Sequence, residues 1–339
     1  MCREEEEAGR FSPAFGPGLL PGMVCGPVFP IPKPGTNKMR LITDHSAGTH
    51  SLNSLIPEDC RSVRFDNLHD LGCALRHFHR QNGRGPRWLF KSDVLKAYRL
   101  LPMHLNWQIR QVMETPEVSG VMMRVDRCGC FGNAGMVQAF CYFFGAVIWV
   151  AINVYAIDGL FHYIDDTNGF DDNDELVHYT PHNEYYPEKQ VKLLKLWDEL
   201  GIPHQKQKQV FRRVLDIVGL EVDAEAMTIT MSEERRNELV NGITEFLGAE
   251  GRRRTLVEWQ RMAGWMQWAV NAYPLLRPAV TPIYDKIAGK TQKRAFVMIN
   301  REVRAALGWF GECLETMCYD YGCMEYERSL KRDHVRRSG

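Results

Sequence analysis

The sequence predicts a mixed α+β domain followed by a helical lobe. Strand and helix patterns alternate through the middle of the chain, and helical patterns follow towards its end. The 339 residues are 45% hydrophobic and 25% charged, which is typical of a globular protein with room for two domains or for one domain with lobes. A formal net charge of zero excludes a global field that would draw the chain to nucleic acid or to a membrane.

Charged residues are unevenly distributed along the chain. Residues 60–99 contain nine basic residues and three acids, whereas residues 151–175 contain seven acids and no Lys or Arg. If the two segments fold together, a basic half lies against an acidic centre. The ten cysteines match no common zinc-site spacing, so we expect free thiols and an intracellular protein, cytoplasmic or nuclear. The acidic start "MCREEEEAGR" lacks an apolar core, and we expect neither a signal peptide nor secretion.

The first third of the chain alternates irregular and regular patterns. Residues 12–36 are rich in Pro and Gly and predict an extended, looping lead-in, and "MRLITDHS" then predicts a short strand. Residues 67–80 have leucines at helical spacing behind Asn67, which is a good capping residue. After the helix-breaking "GRGPRW", the strand "WLFKSDV" carries an acid near its end.

No charged residue occurs from Phe131 to Ile157. A run of this length and polarity is compatible with a membrane span. Gln138, Asn153, the acids that begin at Asp158 and the missing basic flanks argue against a span. We therefore expect a helix buried in a soluble core, then the strand "GLFHYIDD" and a turn at "TNGF", with no membrane partner.

The second half predicts a helix, a hairpin and a helical lobe. "KQVKLLKLWDELG" is amphipathic and stops at Gly201, and "LDIVGLEVDAEAMTITM" alternates as a hairpin should. The remainder is helical, with a capping box at Thr255 and Glu258. Trp265 and Trp268 suit the core or a stacking platform, and we expect the polar tail to be disordered.

Three aspartates mark the ends of two predicted strands: Asp93, Asp165 and Asp166. If the strands are neighbours, Asp93 and Asp165 approach closely, and like charges at that distance raise a pKa or hold cations. Mg²⁺ prefers oxygen ligands, and two such ions can stabilise the attacking and leaving oxygens of a displacement at phosphorus. The alternative is an acid pair in a solvated surface turn. The residues alone predict no more than metal-dependent phosphate chemistry.

These residues also carry a resemblance to a known family. "YIDD" preceded by "FKSDVLKAYR" resembles the palm of reverse transcriptases. Further segments are similar to that family's motifs in the same order: "PKPGTNKMRLITDHSAGTHSLNSLIP" (fingers), "CFGNAGMVQAF" (template-side helix), "LWDELGIPHQKQKQVF" (helix–turn–Lys) and "IVGLEVD" (primer grip). "RTLVEWQRMAGWMQWAVNAYPLLRPAVTPIYDKI" resembles the next segment of long-terminal-repeat and tyrosine-recombinase (DIRS-type) retroelements, and "TDHSAG" favours the DIRS type. The similarity covers residues 12–315.

The resemblance implies an α+β right-hand polymerase fold with fingers, a ferredoxin-like palm on an antiparallel sheet, and a helical thumb or connection. The implied ranges are 1–90 with 105–130 for the lead-in and fingers, 86–104 and 131–229 for the palm, 230–320 for the thumb or connection, and 321–339 for the disordered tail. No RNase H domain is expected, because few residues follow the helical lobe. The chain thus resembles a piece of a larger element polyprotein, or a decayed copy.

The resemblance also implies RNA-directed DNA synthesis from dNTPs on a primed RNA or DNA template, with two Mg²⁺ ions, or Mn²⁺, as cofactors. Asp93 and Asp165 would hold both metals, Asp166 would bind one weakly, and the carbonyl of Val94 would be a further ligand. Lys208 would protonate the leaving pyrophosphate, with Lys206 as its rival. The implied dNTP-binding residues are Lys33, Arg40, Tyr98, Phe131 and Gly132, and the implied primer-grip residues are Val218 and Gly219.

Several of these assignments have alternatives. Tyr98, which would block a ribose 2′-hydroxyl, also suits a core aromatic, and Lys33 and Arg40 also suit solvated charges. The three arginines 252–254 suit either a duplex backbone or a solvated loop. The sequence departs from the family at Met136 and Val137, where Ala-Pro is usual, and at Gln205 and Gln207. The rival functions are a decayed product that binds nucleic acid without catalysis, and a palm-type nucleotide cyclase, whose Gly-Gly-acid turn is missing.

Overall fold

The computed structural model of the chain describes residues 2–32, 39–117, 120–248 and 252–316. The α-helices in these ranges are α1 (Cys2–Glu7), α2 (Leu68–Asn82), α3 (Leu105–Gln108), α4 (Met136–Asn153), α5 (Glu188–Glu199), α6 (Glu233–Gly248), α7 (Leu256–Ala269), α8 (Thr281–Ile287) and α9 (Arg301–Thr316). The strands are β1 (Val28–Pro32), β2 (Met39–Thr43), β3 (Trp88–Val94), β4 (Val112–Glu117), β5 (Gly120–Val125), β6 (Leu160–Tyr163), β7 (Asp166–Asp171), β8 (Leu176–Tyr179), β9 (Glu184–Pro187), β10 (His204–Arg212), β11 (Val214–Ile217), β12 (Leu220–Asp223), β13 (Thr228–Thr230), β14 (Arg253–Thr255) and β15 (Phe296–Met298). The predicted tail, 321–339, lies outside the described residues.

A four-stranded antiparallel sheet forms the centre of the structure. Its strand order is β10-β3-β7-β6, with α4 between β3 and β6 in the chain and α5 ahead of β10. The alternation β-α-β-β-α-β in this order is the arrangement called ferredoxin-like. The two inner strands, β3 and β7, carry the acids of the candidate site to one end of the sheet.

Two cores lie on the two faces of this sheet. Helices α4 and α5 cover one face, and the fully buried side chains there include Phe90, Phe140, Phe144 and Trp197. On the other face Leu89 and Phe170 belong to a core that also contains side chains from α2, from β11 to β13 and from helices α6 to α9. Because successive side chains of a strand point to opposite faces, Leu89 and Phe90 enter different cores. The helical lobe therefore shares one continuous core with the sheet's second face.

Several sequence-predicted helix ends are confirmed. The helix α2 begins directly after Asn67, its N-cap residue, which forms a capping box with Asp70. Gly201 follows α5 with a φ of +68°, the left-handed conformation that glycine adopts without steric cost. Thr255 and Glu258 form the predicted capping box of α7. Local capping chemistry was sufficient to locate these ends.

Other local predictions are wrong in detail. The segment "TNGF" is not a turn but part of β7, where residues 167–170 are buried between β3 and β6 and their backbone groups pair with both neighbours. The predicted hairpin within 215–231 is a three-stranded sheet, β11-β12-β13. The lead-in 12–36 contains β1, and the helical lobe contains the two-stranded antiparallel sheet of β14 and β15. For β7 and for β14, pairing with a sequence-distant strand decides the local structure.

The N-terminal helix α1 is held by ion pairs of Glu5. Its carboxylate binds Arg10 at 2.6 Å, Lys96 at 2.9 Å and Arg99 at 3.1 Å. Burial alone would raise the pKa of Glu5, but the hydrogen bonds and charges of these cations outweigh burial and lower it to about 2. Arg99 also binds Asp126 at 2.6 Å. The network joins α1 to the turn after β3 and to the segment after β5, and the sequence analysis did not predict it.

The basic and acidic segments of the chain do fold together. Arg84 pairs with Asp172 at 2.6 Å, and Arg87 pairs with Asp174 at 3.1 Å. The predicted contact between a basic and an acidic region is thus confirmed at these two pairs. Because all four side chains are partly exposed, water screens both pairs and each adds little to stability.

The uncharged helix α4 is buried on one side only. Its buried side chains are Met136, Phe140, Cys141, Phe144, Val147, Ile148 and Ala151. On the opposite side Tyr142 is 68% exposed and Trp149 is 60% exposed. Among the described residues, this helix is long and apolar enough to cross a membrane, by length and composition only. The expectation of a buried helix is correct for one face and wrong for the other, because the sheet covers only one side.

Candidate active site

The candidate site lies where β3 and β7 run side by side. Phe90 and Val94 point towards α4 and α5, so Lys91 and Asp93 point to the opposite face of the sheet. Asp93 is paired directly with Asp166 across the two strands. Side chains at directly opposed positions of an antiparallel pair share a face and lie about 5 Å apart at Cβ. The strands that carry the acids are therefore neighbours, and the residue directly opposite Asp93 is Asp166.

Asp165 occupies the two-residue turn between β6 and β7. Tyr163 and Asp166 pair on either side of this turn. Ile164 has a φ of +58°, which is a rare and costly conformation for a β-branched side chain. The backbone N–H of Val94 donates to the carbonyl of Asp165 over 3.5 Å. A strained turn, tied to the end of β3, thus brings a third carboxylate to the site.

Asp165 and Asp166 have raised pKa values. Burial, and after it the charge of Asp93, raises the pKa of Asp165 to about 6. The same two causes, in the same order, raise the pKa of Asp166. The Oδ1 atom of Asp93 is buried and has no hydrogen-bond partner among the described residues. The site therefore holds more negative charge than its surroundings stabilise, which is a condition that favours cation binding.

Lys208 is the lysine that the fold brings to the acids. Its ammonium group forms an ion pair with the Oδ2 atom of Asp93. Lys206 instead pairs with Glu184 at 2.5 Å. Both lysines lie in the stretch of β10 between His204 and Gln209, where a β-bulge shifts the register with β3. The bulge interrupts the regular alternation of side chains along the strand. Of the two lysines, Lys208 is thus the one that contacts the acids. Its role as a proton donor stays a prediction.

The donor atoms fit magnesium in type. Over residues 2–32, 39–117, 120–248 and 252–316, no three His, Cys, Asp or Glu side chains are grouped closely enough to hold a metal ion by themselves. Mg²⁺ sites often use one or two carboxylates and take their other oxygens from water and substrate phosphates. The unpartnered oxygen of Asp93 and the raised pKa values of Asp165 and Asp166 suit such a site. The ligand roles of these acids and of the Val94 carbonyl stay predictions.

Tyr98 joins the candidate site to the palm core. Its ring lies 4.8 Å from that of Phe131 and 5.6 Å from that of Phe140, measured between centroids. Burial, and next the charge of Asp165, raises the pKa of Tyr98 to about 12. Tyr98 is therefore a buried core aromatic and a neighbour of the acids at once. Phe131 is exposed and covers one side of it.

Gly132 is required by the close approach of two backbone segments. It has a φ of +97°, and a Cβ atom there would stand 2.7 Å from the carbonyl oxygen of Thr43. The Asn53 side chain donates to the Gly132 carbonyl at 2.8 Å and accepts from the N–H of Ala134 at 2.8 Å. The segment 131–134 is thus docked onto the end of β2. Asn53 lies within the segment that resembles the fingers motif, but no role was predicted for it.

A buried His–Cys contact reinforces this docking. The Nε2 atom of His45 lies 2.9 Å from the Sγ atom of Cys130. Burial lowers the pKa of His45 and raises the pKa of Cys130, so the pair is a neutral imidazole and a thiol. Lys33, one of the two implied triphosphate ligands, lies outside the described residues. The backbone of Arg40 pairs with Ile31 in the β1–β2 hairpin.

The implied primer-grip residues form the turn between β11 and β12. Val218 and Gly219 have φ values of +50° and +83°, the signs of a type I′ hairpin turn. The indole N–H of Trp268 donates to the Val218 carbonyl at 3.5 Å, and the guanidinium of Arg235 lies 5.6 Å from the Trp268 ring centroid. The helical lobe thereby braces this hairpin, which resolves the open assignment of Trp268 in favour of packing.

The remaining residues that the sequence singled out lie in the helical lobe and at the start of α4. Trp265 is half-exposed and packs against Gly242. Arg254 is buried against the ring of Phe246, so it belongs neither to a solvated loop nor to a surface that contacts a duplex. Met136, where the family usually differs, begins α4 and is buried.

Comparisons with known proteins were consistent with this geometry at the level of the fold. No protein-family model matches the sequence, and no curated protein matches it. Three structures of foamy viral protease-reverse transcriptase are similar to this one. One, with double-stranded DNA, has a TM-score of 0.61 at 15% identity over 93% of this chain and 47% of the viral chain. Another, with an RNA/DNA hybrid, has a TM-score of 0.57 at 16% identity over 93% and 36%.

The third structure, also with double-stranded DNA, has a TM-score of 0.59 at 16% identity over 94% of this chain and 56% of the viral chain. The chain thus spans between about a third and just over half of the viral chains it matches. At this identity the similarity shows the fold: the protein has a reverse transcriptase-like polymerase fold.

Proposed function

We propose that this protein is the RNA-directed DNA polymerase domain of a retroelement, of the DIRS or long-terminal-repeat type. The observation that carries the proposal is the placement of Asp93, Asp165 and Asp166 at one end of a palm-like sheet, on a fold similar to that of reverse transcriptases. The reaction is attack of a primer 3′-hydroxyl on the α-phosphorus of a dNTP, with release of pyrophosphate.

In this reaction some of the chain's residues would bind metal ions or hold a proton, and others would position the nucleotide. Two Mg²⁺ ions, or Mn²⁺, bound by Asp93, Asp165 and Asp166 would stabilise the attacking and leaving oxygens. Lys208, already beside Asp93, would hold or donate a proton at the leaving pyrophosphate. Tyr98 and Phe131 would form the sugar side of the nucleotide pocket. Gly132, which has no side chain, would let the backbone approach the nucleotide.

The proposed partners are dNTPs and a primed RNA or DNA template in an intracellular compartment. The similar foamy viral structures are complexes with double-stranded DNA and with an RNA/DNA hybrid, which supports a duplex partner here. The Val218–Gly219 turn, braced by Trp268, would hold the primer end. Lys33 and Arg40 would contact the triphosphate, because guanidinium and ammonium groups bind phosphate oxygens strongly.

A second candidate is a decayed retroelement product that binds nucleic acid without catalysis. The observation that favours it is the occupation of Asp93 by Lys208, together with the lack of a ready three-ligand group among the described residues. In that case the acids would persist without a bound metal. Both candidates predict binding to a primed template, and only the first predicts extension.

Primer extension on an RNA template with Mg²⁺ or Mn²⁺ separates the two. The parent chain should extend the primer, Asp165→Asn should not, and both should bind the template–primer with similar affinity in a fluorescence anisotropy assay. Asp158→Asn is the matched control, because Asp158 lies in the same acidic segment but is exposed and pairs with Lys189. Binding without extension by the parent chain would establish the second candidate.

A further inference from the structure

The outer face of α4 is a continuous apolar surface without a protein partner among the described residues. Besides Tyr142 and Trp149, its large exposed side chains are Phe143 and Ile152, and Val154 follows directly after the helix at 65% exposure. Residues spaced three, four and seven apart share one side of a helix. Tyr142, Ala146 and Trp149 therefore form the middle of one stripe, which we call the α4 outer face.

No charged residue lies on this helix, and its two amide side chains already donate hydrogen bonds to backbone carbonyls. Asn153 donates to the carbonyl of Trp149 at 2.8 Å. Gln138 donates to the carbonyls of Asp59 at 2.9 Å and Ser62 at 2.7 Å. The α4 outer face therefore offers a partner mainly apolar contact, with the Tyr142 hydroxyl and the Trp149 indole N–H as its exposed hydrogen-bonding groups. An ordinary solvated helix differs, because its outer residues are polar or charged.

The size of the surface suits a protein interface. An aromatic side chain offers about 150–250 Å², so the exposed parts of Tyr142, Phe143 and Trp149 with their aliphatic neighbours present about 500 Å². That is at the upper end of the largest apolar patch on a typical monomer, about 300–600 Å². A standard stable interface covers about 800 Å² per partner. With about 56–65% of that area apolar, it contains about as much apolar surface as the α4 outer face presents.

We propose that the α4 outer face is the interface of a homodimer, in which two α4 helices cross antiparallel about a two-fold axis near Ala146. A two-fold interface must be complementary to itself. With the axis at Ala146, the small Ala146 side chains meet each other, Trp149 lies opposite Phe143 of the second copy, and Tyr142 lies opposite Val150 of the second copy. Small residues at the crossing allow close approach, and large ones flank it on both sides.

The uncharged face also removes the usual obstacle to self-association. When identical surfaces meet, every charge on the face meets a like charge unless it is offset, and like charges directly opposed are unfavourable. Neither α4 nor residues 131–157 around it contain an acid or a base. The formal net charge of zero adds no long-range repulsion between copies.

Sedimentation velocity of the full chain at micromolar concentration tests the proposal. The parent chain should sediment as a dimer, and Trp149→Glu should raise the dimer dissociation constant at least tenfold. Leu275→Glu is the matched control, because Leu275 is a similarly exposed apolar residue in the helical lobe and should leave the dimer intact. Circular dichroism melts should show that all three chains are equally folded.

Three results would overturn the proposal. The parent chain could be monomeric throughout and float with neutral phosphatidylcholine vesicles, which would make the face a membrane contact. It could be monomeric until residues 317–339 are deleted, which would make that segment the occupant. It could also form a dimer that Trp149→Glu does not weaken.

Disulfide trapping tests the antiparallel arrangement itself. Ala146→Cys should form a covalent dimer under mild oxidation, because the two side chains meet at the axis. Asn153→Cys lies seven residues from the axis and should cross-link no more than the parent chain, whose exposed Cys73 sets the background. Equal cross-linking of the two variants would overturn the arrangement.

Discussion

Lys208 forms an ion pair with Asp93 although 115 residues separate them in the chain. The pair places a positive charge on the carboxylate that is also opposed to Asp166 across the sheet. The ammonium group thus occupies one oxygen of Asp93, while the other oxygen is buried and unpartnered among the described residues. A metal ion that binds here competes with Lys208 for the same carboxylate.

Lys208→Gln should therefore have opposite effects on metal binding and on catalysis. Removal of the competing charge should tighten Mn²⁺ binding to the free protein about 3–10-fold. If Lys208 is the proposed proton donor, its loss should slow nucleotide incorporation about 100-fold. Electron paramagnetic resonance of Mn²⁺ and primer extension measure the two effects.

Lys206→Gln serves as the control for this pair, because Lys206 contacts Glu184 and not the acids. It should leave both quantities close to those of the parent chain. If Lys208→Gln extended the primer at the parental rate, Lys208 would be no more than an ion-pair partner of Asp93.

Tyr98→Val should weaken discrimination against ribonucleotides. Tyr98 is packed between Phe131 and Phe140 beside the acids, where a bulky ring would meet a ribose 2′-hydroxyl. A smaller side chain should raise the incorporation of ribonucleotides relative to dNTPs about 10–100-fold. Tyr98→Phe keeps the ring and should keep the parental ratio. Equal ratios of kcat/KM in all three chains would leave Tyr98 as a core aromatic alone.

Gly132→Ala should destabilise the protein by about 1–3 kcal/mol. The added Cβ would lie 2.7 Å from the Thr43 carbonyl, in a backbone conformation with a φ of +97°. Gly308→Ala is the matched control: Gly308 lies within α9, an added Cβ there would meet open space, and the chain should become more stable by about 0.5–1 kcal/mol. Urea unfolding measures both. A Gly132→Ala chain as stable as the parent would contradict the close approach of these segments.

The sequence predicted those parts of the fold that depend on local chemistry. The caps at Asn67 and Thr255 and the stop at Gly201 need only neighbouring residues, and each was found. The strand that delivers Asp93 was also evident, because apolar residues precede a lone acid. The turn at "TNGF" was misplaced, because pairing of β7 with two neighbours overrides the turn preference of Asn and Gly.

The rest depended on contacts between distant segments, which a single sequence does not specify. The docking of Gly132 onto Thr43 and the two hydrogen bonds of Asn53 join regions about 80 residues apart. The choice between Lys206 and Lys208 depended on a β-bulge, which has no clear sequence signal. The exposed side of α4 was missed because a helix that is apolar all round usually lies within a core.

Glu5→Gln should reduce stability at neutral pH and lose its effect in acid. The pKa of Glu5 falls from 4.5 to about 2 on folding, because Arg10, Lys96 and Arg99 outweigh the effect of burial. A lowered carboxyl pKa contributes stability above pH 4.5 and loses it as the pH falls towards 2. With screening by water, we expect a difference of about 1–2 kcal/mol at pH 7.

Urea unfolding of the parent and Glu5→Gln chains at several pH values between 3 and 7 measures this difference. Glu7→Gln, on the exposed side of the same helix, should match the parent chain at every pH. A Glu5→Gln effect that stayed constant across the range would mean that the charge of Glu5 is not its cause.

Single-nucleotide incorporation in a rapid-quench experiment tests the central claim most directly. With template–primer bound and Mg²⁺ present, the parent chain should give a burst of extended primer whose amplitude matches the bound fraction. Asp93→Asn should bind the same template–primer and give no burst, because it removes the carboxylate that lies opposite Asp166 and pairs with Lys208. A parent chain that binds template–primer without a burst, or an Asp93→Asn burst equal to the parent's, would contradict the assignment of this site to nucleotide transfer.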